Sequence, residues 1–319
     1  MAARIIVPLD QSAIAESALP LARTLAKQFG AGVTLLSVLD VPASLGSYVR
    51  NPAPGTAAED LQRPSGNAAP DSPYGSWSGW SSNQPSARQV EDIASETADA
   101  ERYLNAIADT FDNVHVEKVV RYGKPADRIL EAAELRNDSV ILLASHGRTG
   151  LGRALIGSVA ARVVQAAQNP VFVVRAKRES TGAGELEPIG HILLPVDGSA
   201  FAERSIPIVD NHFGGGKTQM DLIYVIETPR YANKAQAEEY MKWLSTKVGE
   251  KGTSATHEVR EGSPAEQIIK AAEERNADMI AMSTHGRSGL DRFVLGSVAE
   301  RVLHESERPL MLIPARMKN

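Results

Sequence analysis

The sequence predicts an α/β protein built from two doubly wound, mainly parallel layers in tandem. The first observation behind this is a near-copy. The stretches 144-ASHGRTGLGRALIGSV-159 and 283-STHGRSGLDRFVLGSV-298 are identical at nine of sixteen positions. The second is register: Asp10 to Val38 and Asp197 to Val225 each span 28 residues, and Gly123 to Gly147 and Gly262 to Gly286 each span 24. The third is an alternation of apolar runs with amphipathic segments. Parallel strands joined by right-handed helical crossovers produce that pattern. A chain of 319 residues is long enough for two such units.

Each unit opens on an apolar run ending in Pro-x-Asp, 4-RIIVPLDQS-12 and 191-HILLPVDGS-199, which reads as a buried strand meeting a turn. A helix is expected over 13–30 and again over 200–214, each carrying an internal proline and ending near glycine. Strands follow at 32–40 and 219–227. The blocks 121-RYGKPADRILEAAELRNDSVILLASHG-147 and 260-REGSPAEQIIKAAEERNADMIAMSTHG-286 align without a gap. In both, Gly-x-Pro starts a helix with proline in the first turn, where a missing N–H costs nothing. An apolar strand, the doubled motif, a helix from Ser158 or Ser297, and the final strands 170-PVFVV-174 and 309-PLMLIP-314 complete the units. The expected domains are 1–177 and 188–319, joined by a polar link at 178–187 that contains glycine.

The first unit carries an insertion: Val38 to Gly123 is 85 residues, whereas Val225 to Gly262 is 37. Most of the excess lies in 42–88, where 24 of 47 residues are Gly, Pro, Ser or Asn, so an extended loop is expected rather than a core element. Tyr48, Tyr74, Trp77 and Trp80 leave two readings open, a passive excursion and a lid or partner-binding arm.

Bulk composition excludes several classes. A net charge of -5 gives no general attraction to nucleic acid or anionic lipid. Without cysteine there are no disulfides, thiolate metal sites or cysteine nucleophiles. No apolar leader precedes the first strand and no run reaches about 18 uncharged apolar residues, so a soluble, cytoplasmic protein is expected.

The doubled motif carries the chemistry. Gly147, Gly157 and Ser158 recur as Gly286, Gly296 and Ser297. Glycines let backbone N–H groups approach an anion, and a helix start adds its dipole. Ser283 adds a hydroxyl that its counterpart Ala144 lacks. Neither a GxxxxGK[ST] loop nor a strand–GxGxxG–helix fingerprint occurs. Open parallel sheets bind ligands at the C-terminal edge, where Asp10 and Asp197 follow the first strands and Val38 and Val225 end the second. A purine against these backbones, an aspartate on the ribose and a glycine loop on the phosphates fits this layout. The plainer alternatives are that the glycines only shape a turn, that Ser158 and Ser297 are N-caps, and that each aspartate caps the next helix.

Taken together, IIVPLD and ILLPVD, the Gly-x-Pro helix starts and the doubled motif resemble a tandem universal stress protein. Gly147, Gly157 and Ser158, like Gly286, Gly296 and Ser297, match the last three fixed positions of the Gly-x2-Gly-x9-Gly-Ser/Thr pattern of nucleotide-binding members. Ala144 and Ser283 replace its first glycine. The resemblance runs from residue 4 to about 315, apart from the insertion. It implies two five-stranded parallel sheets of Rossmann-like type, each with an ATP site. Pro8, Leu9, Asp10 and Val38 would border the first site and Pro195, Val196, Asp197 and Val225 the second. His146, Arg148 and Val159, with their counterparts His285, Arg287 and Val298, would flank the phosphate loops. A divalent metal such as Mg2+ would bridge phosphates rather than sit on protein ligands alone.

The resemblance also implies an intramolecular pseudo-dimer through the final strands, leaves room for dimers of whole chains, and suggests a regulatory partner that the sequence does not name. No catalytic residue is assigned, because no base stands near the distal phosphate. An ATP-binding stress-response regulator is the leading reading. A slow metal-dependent ATPase and a nucleotide-independent scaffold stand beside it.

Overall fold

The structure, a computed structural model, describes residues 4–40, 87–145, 156–176, 182–214, 218–227, 233–285, 295–315 and 317. The first repeat runs β1 (Arg4–Pro8), α1 (Ala13–Glu16), α2 (Leu19–Phe29), β2 (Gly32–Leu39), α3 (Ala87–Ala108), β3 (Val116–Tyr122), α4 (Pro125–Glu134), β4 (Ser139–Ala144), α5 (Ser158–Ala166) and β5 (Val171–Val174). The second runs β6 (His191–Val196), α6 (Ala200–Phe213), β7 (Gln219–Ile226), α7 (Lys234–Gly249), β8 (Ser254–Glu261), α8 (Pro264–Glu274), β9 (Met279–Ser283), α9 (Ser297–Glu305) and β10 (Leu310–Ile313). The insertion's aromatics, the residues 178–181 of the link, and His146, Gly147, Arg148, Gly286 and Arg287 lie outside the described residues.

The expected two five-stranded sheets meet through their final strands, as the expected pseudo-dimer requires, but they are not two sheets. The strands form one ten-stranded sheet in the order β3-β2-β1-β4-β5-β10-β9-β6-β7-β8. Each repeat contributes five parallel strands, and β5 pairs with β10 antiparallel, Phe172 facing Met311. Both final strands are wholly buried and apolar, so leaving either as an open edge would expose unpaired backbone beside apolar surface. Because the seam is antiparallel, the C-terminal ends of the two parallel sets lie on opposite edges of the sheet.

Helices cover both faces, so the central strands are apolar throughout rather than alternating. Ile5, Val7, Ile192 and Leu194 face one layer, where α2, α6 and α7 bury Leu21, Leu25, Val209 and Met241. Ile6 and Leu193 face the other, where α4, α5, α8 and α9 bury Ile129, Val163, Ile268 and Val302.

The continuous helix expected over 13–30 is broken, whereas its counterpart α6 is intact. Both carry proline at the equivalent place, Pro20 in the first turn of α2 and Pro207 inside α6. The difference lies upstream. The Ser17 hydroxyl donates to the Ile14 carbonyl (2.6 Å) and ends α1, a local bond that competes with the helical one. Arg204 stands at that position in α6 and donates instead to the Ala200 carbonyl (3.3 Å).

The described part of the link, 182–187, and the first residues of the second domain are fastened along α2 rather than strung between domains. Arg23 donates to the carbonyls of Gly182 (2.7 Å) and Gly184 (2.9 Å). The Thr24 hydroxyl serves both backbone groups of Leu186, and the Gln28 amide does the same for Ile189. Burial lowers the Arg23 pKa, opposed by the charges of Glu185 and Asp112.

Candidate functional site

Strand order places a switch point in each repeat. β1 lies between β2 and β4, and β6 between β7 and β9, so their connections leave in opposite directions and open a crevice at the C-terminal edge. Pro195, Val196 and Asp197 end β6 at that crevice, Val225 lies on β7, Ser283 ends β9, and Gly296 and Ser297 begin α9. These residues, with His285 and Val298, line a single cavity of about 500 Å3. Nine residues singled out in the second repeat therefore share one space, of a size usual for small-ligand pockets.

The motif loop is closed by backbone. The Gly296 amide donates to the Thr284 carbonyl (2.8 Å), and the Thr284 amide to Ile313 (2.9 Å). The first repeat repeats the frame: Gly157 to Ser145 (2.7 Å) and Ser145 to Val174 (2.8 Å). Pro8, Leu9, Asp10, Val38, Ala144, Gly157, Ser158 and Val159 occupy the matching positions at its own edge, with the Leu9 amide donating to the Leu36 carbonyl (2.8 Å).

Three expectations change here. The N-caps of α5 and α9 are Gly157 and Gly296, not the serines, and glycine has no side chain with which to cap. Ser158 and Ser297 are the first helical residues, so the first-turn N–H groups of both helices receive no acceptor from an N-cap side chain. The aspartates are not caps either. Ser12 and Ser199 cap α1 and α6, while Asp10 and Asp197 accept from the amides of those serines (3.1 and 2.9 Å). Finally, the Ser283 hydroxyl donates to the His285 carbonyl (2.6 Å), so its proton is committed inside the loop. His285 Nδ1 meets the Thr284 hydroxyl at 2.9 Å.

The cavity wall divides by chemistry. Ile223, Val225, Ile268, Met282 and Val298 are its apolar lining, and Ser297 adds a hydroxyl at the start of α9, the Gly296 amide being held by Thr284. Asp197 and Glu227 are the carboxylates lining it. This suits a flat apolar group joined to an anionic tail. For a metal the donor set is thin: among the described residues no group of three or more His, Asp or Glu is placed to hold an ion.

Several lining residues were not singled out from sequence. Pro264 belongs to the Gly-x-Pro start of α8; Gly262 before it takes φ 130°, and its amide holds the Ile226 carbonyl (3.0 Å). Glu227 is the residue after β7. A further repeat, 100-AERYL-104 and 237-AEEYM-241, places Tyr103 and Tyr240 equivalently, and each donates to a glutamate beside its site: Glu16 (2.9 Å) and Glu203 (2.8 Å).

The most densely charged cluster lies at the opposite edge. Asp221 on β7 accepts from His191 Nε2 (2.7 Å), Gln219 (2.9 Å), Thr256 (2.6 Å) and Arg275 (2.9 Å). In the first repeat the base keeps its strand and the carboxylate moves one over: Arg4 on β1 pairs with Glu117 on β3 (3.2 Å). These pairs tie strand starts together, away from the cavity. Among the described residues no helix is long and apolar enough to cross a membrane.

Comparison with known proteins bears on the fold and the family. A universal stress protein of Methanocaldococcus jannaschii is 29% identical over 136 residues, covering 38% of this chain and 80% of that protein. One from Mycobacterium bovis is 23% identical over 250 residues, covering 75% of this chain and 79% of that protein. Among solved structures, a universal stress protein from Archaeoglobus fulgidus superposes with a TM-score of 0.67 at 16% identity, covering 99% of both chains. A putative one from Pseudomonas aeruginosa gives 0.59 at 15% identity, covering 98% of this chain and 93% of that one. Both share its fold. The model of the universal stress protein family matches residues 1–175 and again 188–314, so the chain belongs to that family, with two of its domains in tandem.

Proposed function

We propose that the second-repeat cavity binds an adenine nucleotide, ATP foremost, and that the protein acts as a nucleotide-responsive regulator in a stress response. The observation that carries this reading is the meeting of apolar lining, a carboxylate and a helix start with a glycine N-cap in one cavity of about 500 Å3 at a sheet switch point. The base would lie against Val225 and Ile223, Asp197 would reach a ribose hydroxyl, and the first turn of α9 would take the phosphates. When bound, a divalent ion such as Mg2+ would neutralise phosphate charge. Gly157, Ser158 and Asp10 would do the corresponding work in the first repeat.

The reading is one of binding: Asp197 is given to the ribose, and no described residue is assigned as a base for an attacking water. Mass spectrometry of the natively purified protein tests it by identifying any retained nucleotide. Calorimetry with Gly296→Val and Ser297→Ala extends the test. Both should weaken ATP binding in folded protein, and unchanged affinity after disruption of both motif loops would leave the motif a structural turn.

A further inference from the structure

The tyrosine–glutamate pair sits behind the candidate site and has no part in the scheme above. Glu203 lies in the first turn of α6, six residues after Asp197, and Ala202 beside it lines the cavity, whereas Glu203 is not among the lining residues. Its carboxylate is instead turned to α7, accepting from the Tyr240 hydroxyl at 2.8 Å. The ring of Tyr240 is fixed independently. It packs edge-on against Tyr224 at 6.1 Å and stacks with Trp243 at 6.3 Å. Burial, the Glu203 bond and the nearby charge of Asp197 all raise the Tyr240 pKa, so the hydroxyl remains a donor at neutral pH.

The first repeat carries the same arrangement: Tyr103 of α3 donates to Glu16, which follows Asp10 by six residues, and Asp10 acts on Tyr103 as Asp197 does on Tyr240. Nothing in packing requires a hydroxyl–carboxylate pair here. An apolar contact between these helices would hold them together as well. What the pair does control is charge. Asp197 and Glu227 already line the cavity, and a third carboxylate swinging towards it would oppose an anionic ligand.

We infer that Tyr240 is a positioning residue that holds the Glu203 carboxylate against α7, keeping negative charge out of the second-repeat cavity and so favouring anionic ligands over neutral ones there. The inference rests on the reading of the cavity as a nucleotide site. Tyr240→Phe keeps the ring contacts and removes only the hydroxyl. The test is calorimetry with ATP and with uncharged adenosine, on wild type, Tyr240→Phe and the double variant Tyr240→Phe/Glu203→Gln, at low and high salt.

The expected result is about fivefold weaker ATP binding by Tyr240→Phe at low ionic strength, shrinking as salt screens the charge. Adenosine binding should be unchanged, and Glu203→Gln should restore ATP binding. Equal weakening of both ligands, unaltered ATP binding, or failure of the glutamine to restore it would overturn the inference while leaving the nucleotide site standing. Wild-type protein that binds neither ligand would overturn the site and the inference together.

Discussion

Phe29 of the first repeat and Phe213 of the second meet edge to face across the seam, ring centroids 5.1 Å apart. Phe172 on β5 completes the cluster, 6.4 Å from one ring and 6.3 Å from the other. All three are buried, so Phe213→Ala opens a cavity that neither repeat can refill alone. The expected cost is about 3–5 kcal/mol. Chemical denaturation should show it as a lower midpoint with the slope unchanged.

His212 stands at the edge of that cluster, 5.6 Å from the Phe29 ring, with Nδ1 on the Ile208 carbonyl (2.7 Å). Burial lowers its pKa, only partly opposed by the carbonyl. The unfolded chain therefore takes up the proton more readily than the folded one. Stability from this group is fully present above the ordinary histidine value of about 6.5 and is lost as pH falls below it. Urea midpoints at pH 8 and pH 5 should differ more for wild type than for His212→Gln.

Asp221 titrates the other way. Burial alone would raise its pKa, but bonds from Thr256, Gln219, His191 and Arg275 outweigh that and bring it down to about 2. Its contribution is present above the unfolded aspartate value of about 3.9 and disappears as pH falls through the folded value. Asp221→Asn presents an amide to Arg275 where an acceptor is required, at a cost of about 1–3 kcal/mol. The variant should lose less stability than wild type between pH 5 and pH 2.

Gln11 adopts φ 63°, where its counterpart Gly198 adopts φ 79°. A side chain in this region costs about 1 kcal/mol that glycine does not incur. Gln11→Gly should raise the melting temperature by a few degrees, and Gly198→Ala should lower it. A fall in both would show that Gln11 makes a compensating contact.

Periodicity and duplication made most of the fold legible. Pro-x-Asp located β1 and β6, Gly-x-Pro located α4 and α8, and the motif located α5 and α9. The broken helix was not legible, because its cause is one hydroxyl, Ser17, competing for one carbonyl. The pairing of the final strands was expected from the family resemblance, whereas strand apolarity alone does not show that the two sheets run on into one. At the site, residue types and spacing brought nine positions of the second repeat to one cavity. Hydrogen-bond assignment was beyond reach. Asp197, Ser199, Ser283 and Ser297 all carry acceptors, and only the structure shows that Ser199 caps, Ser283 is spent on His285, and the helix of Ser297 has glycine as its N-cap. The recurring AExY of α3 and α7 was readable and points to the tyrosines directly.

At the seam, Phe172 faces Met311, and these are equivalent positions of the two repeats. In a dimer of identical domains joined this way, one residue would have to face its own copy across the two-fold axis, and its size would be capped by that self-encounter. Two phenylalanines there would crowd Phe29 and Phe213, and two methionines would pack them loosely. Fusion removes the requirement of self-complementarity. Each half meets only the other, so a bulky ring and a pliable thioether can share the axis. A strand pair excised as two copies of either half would lose that fit.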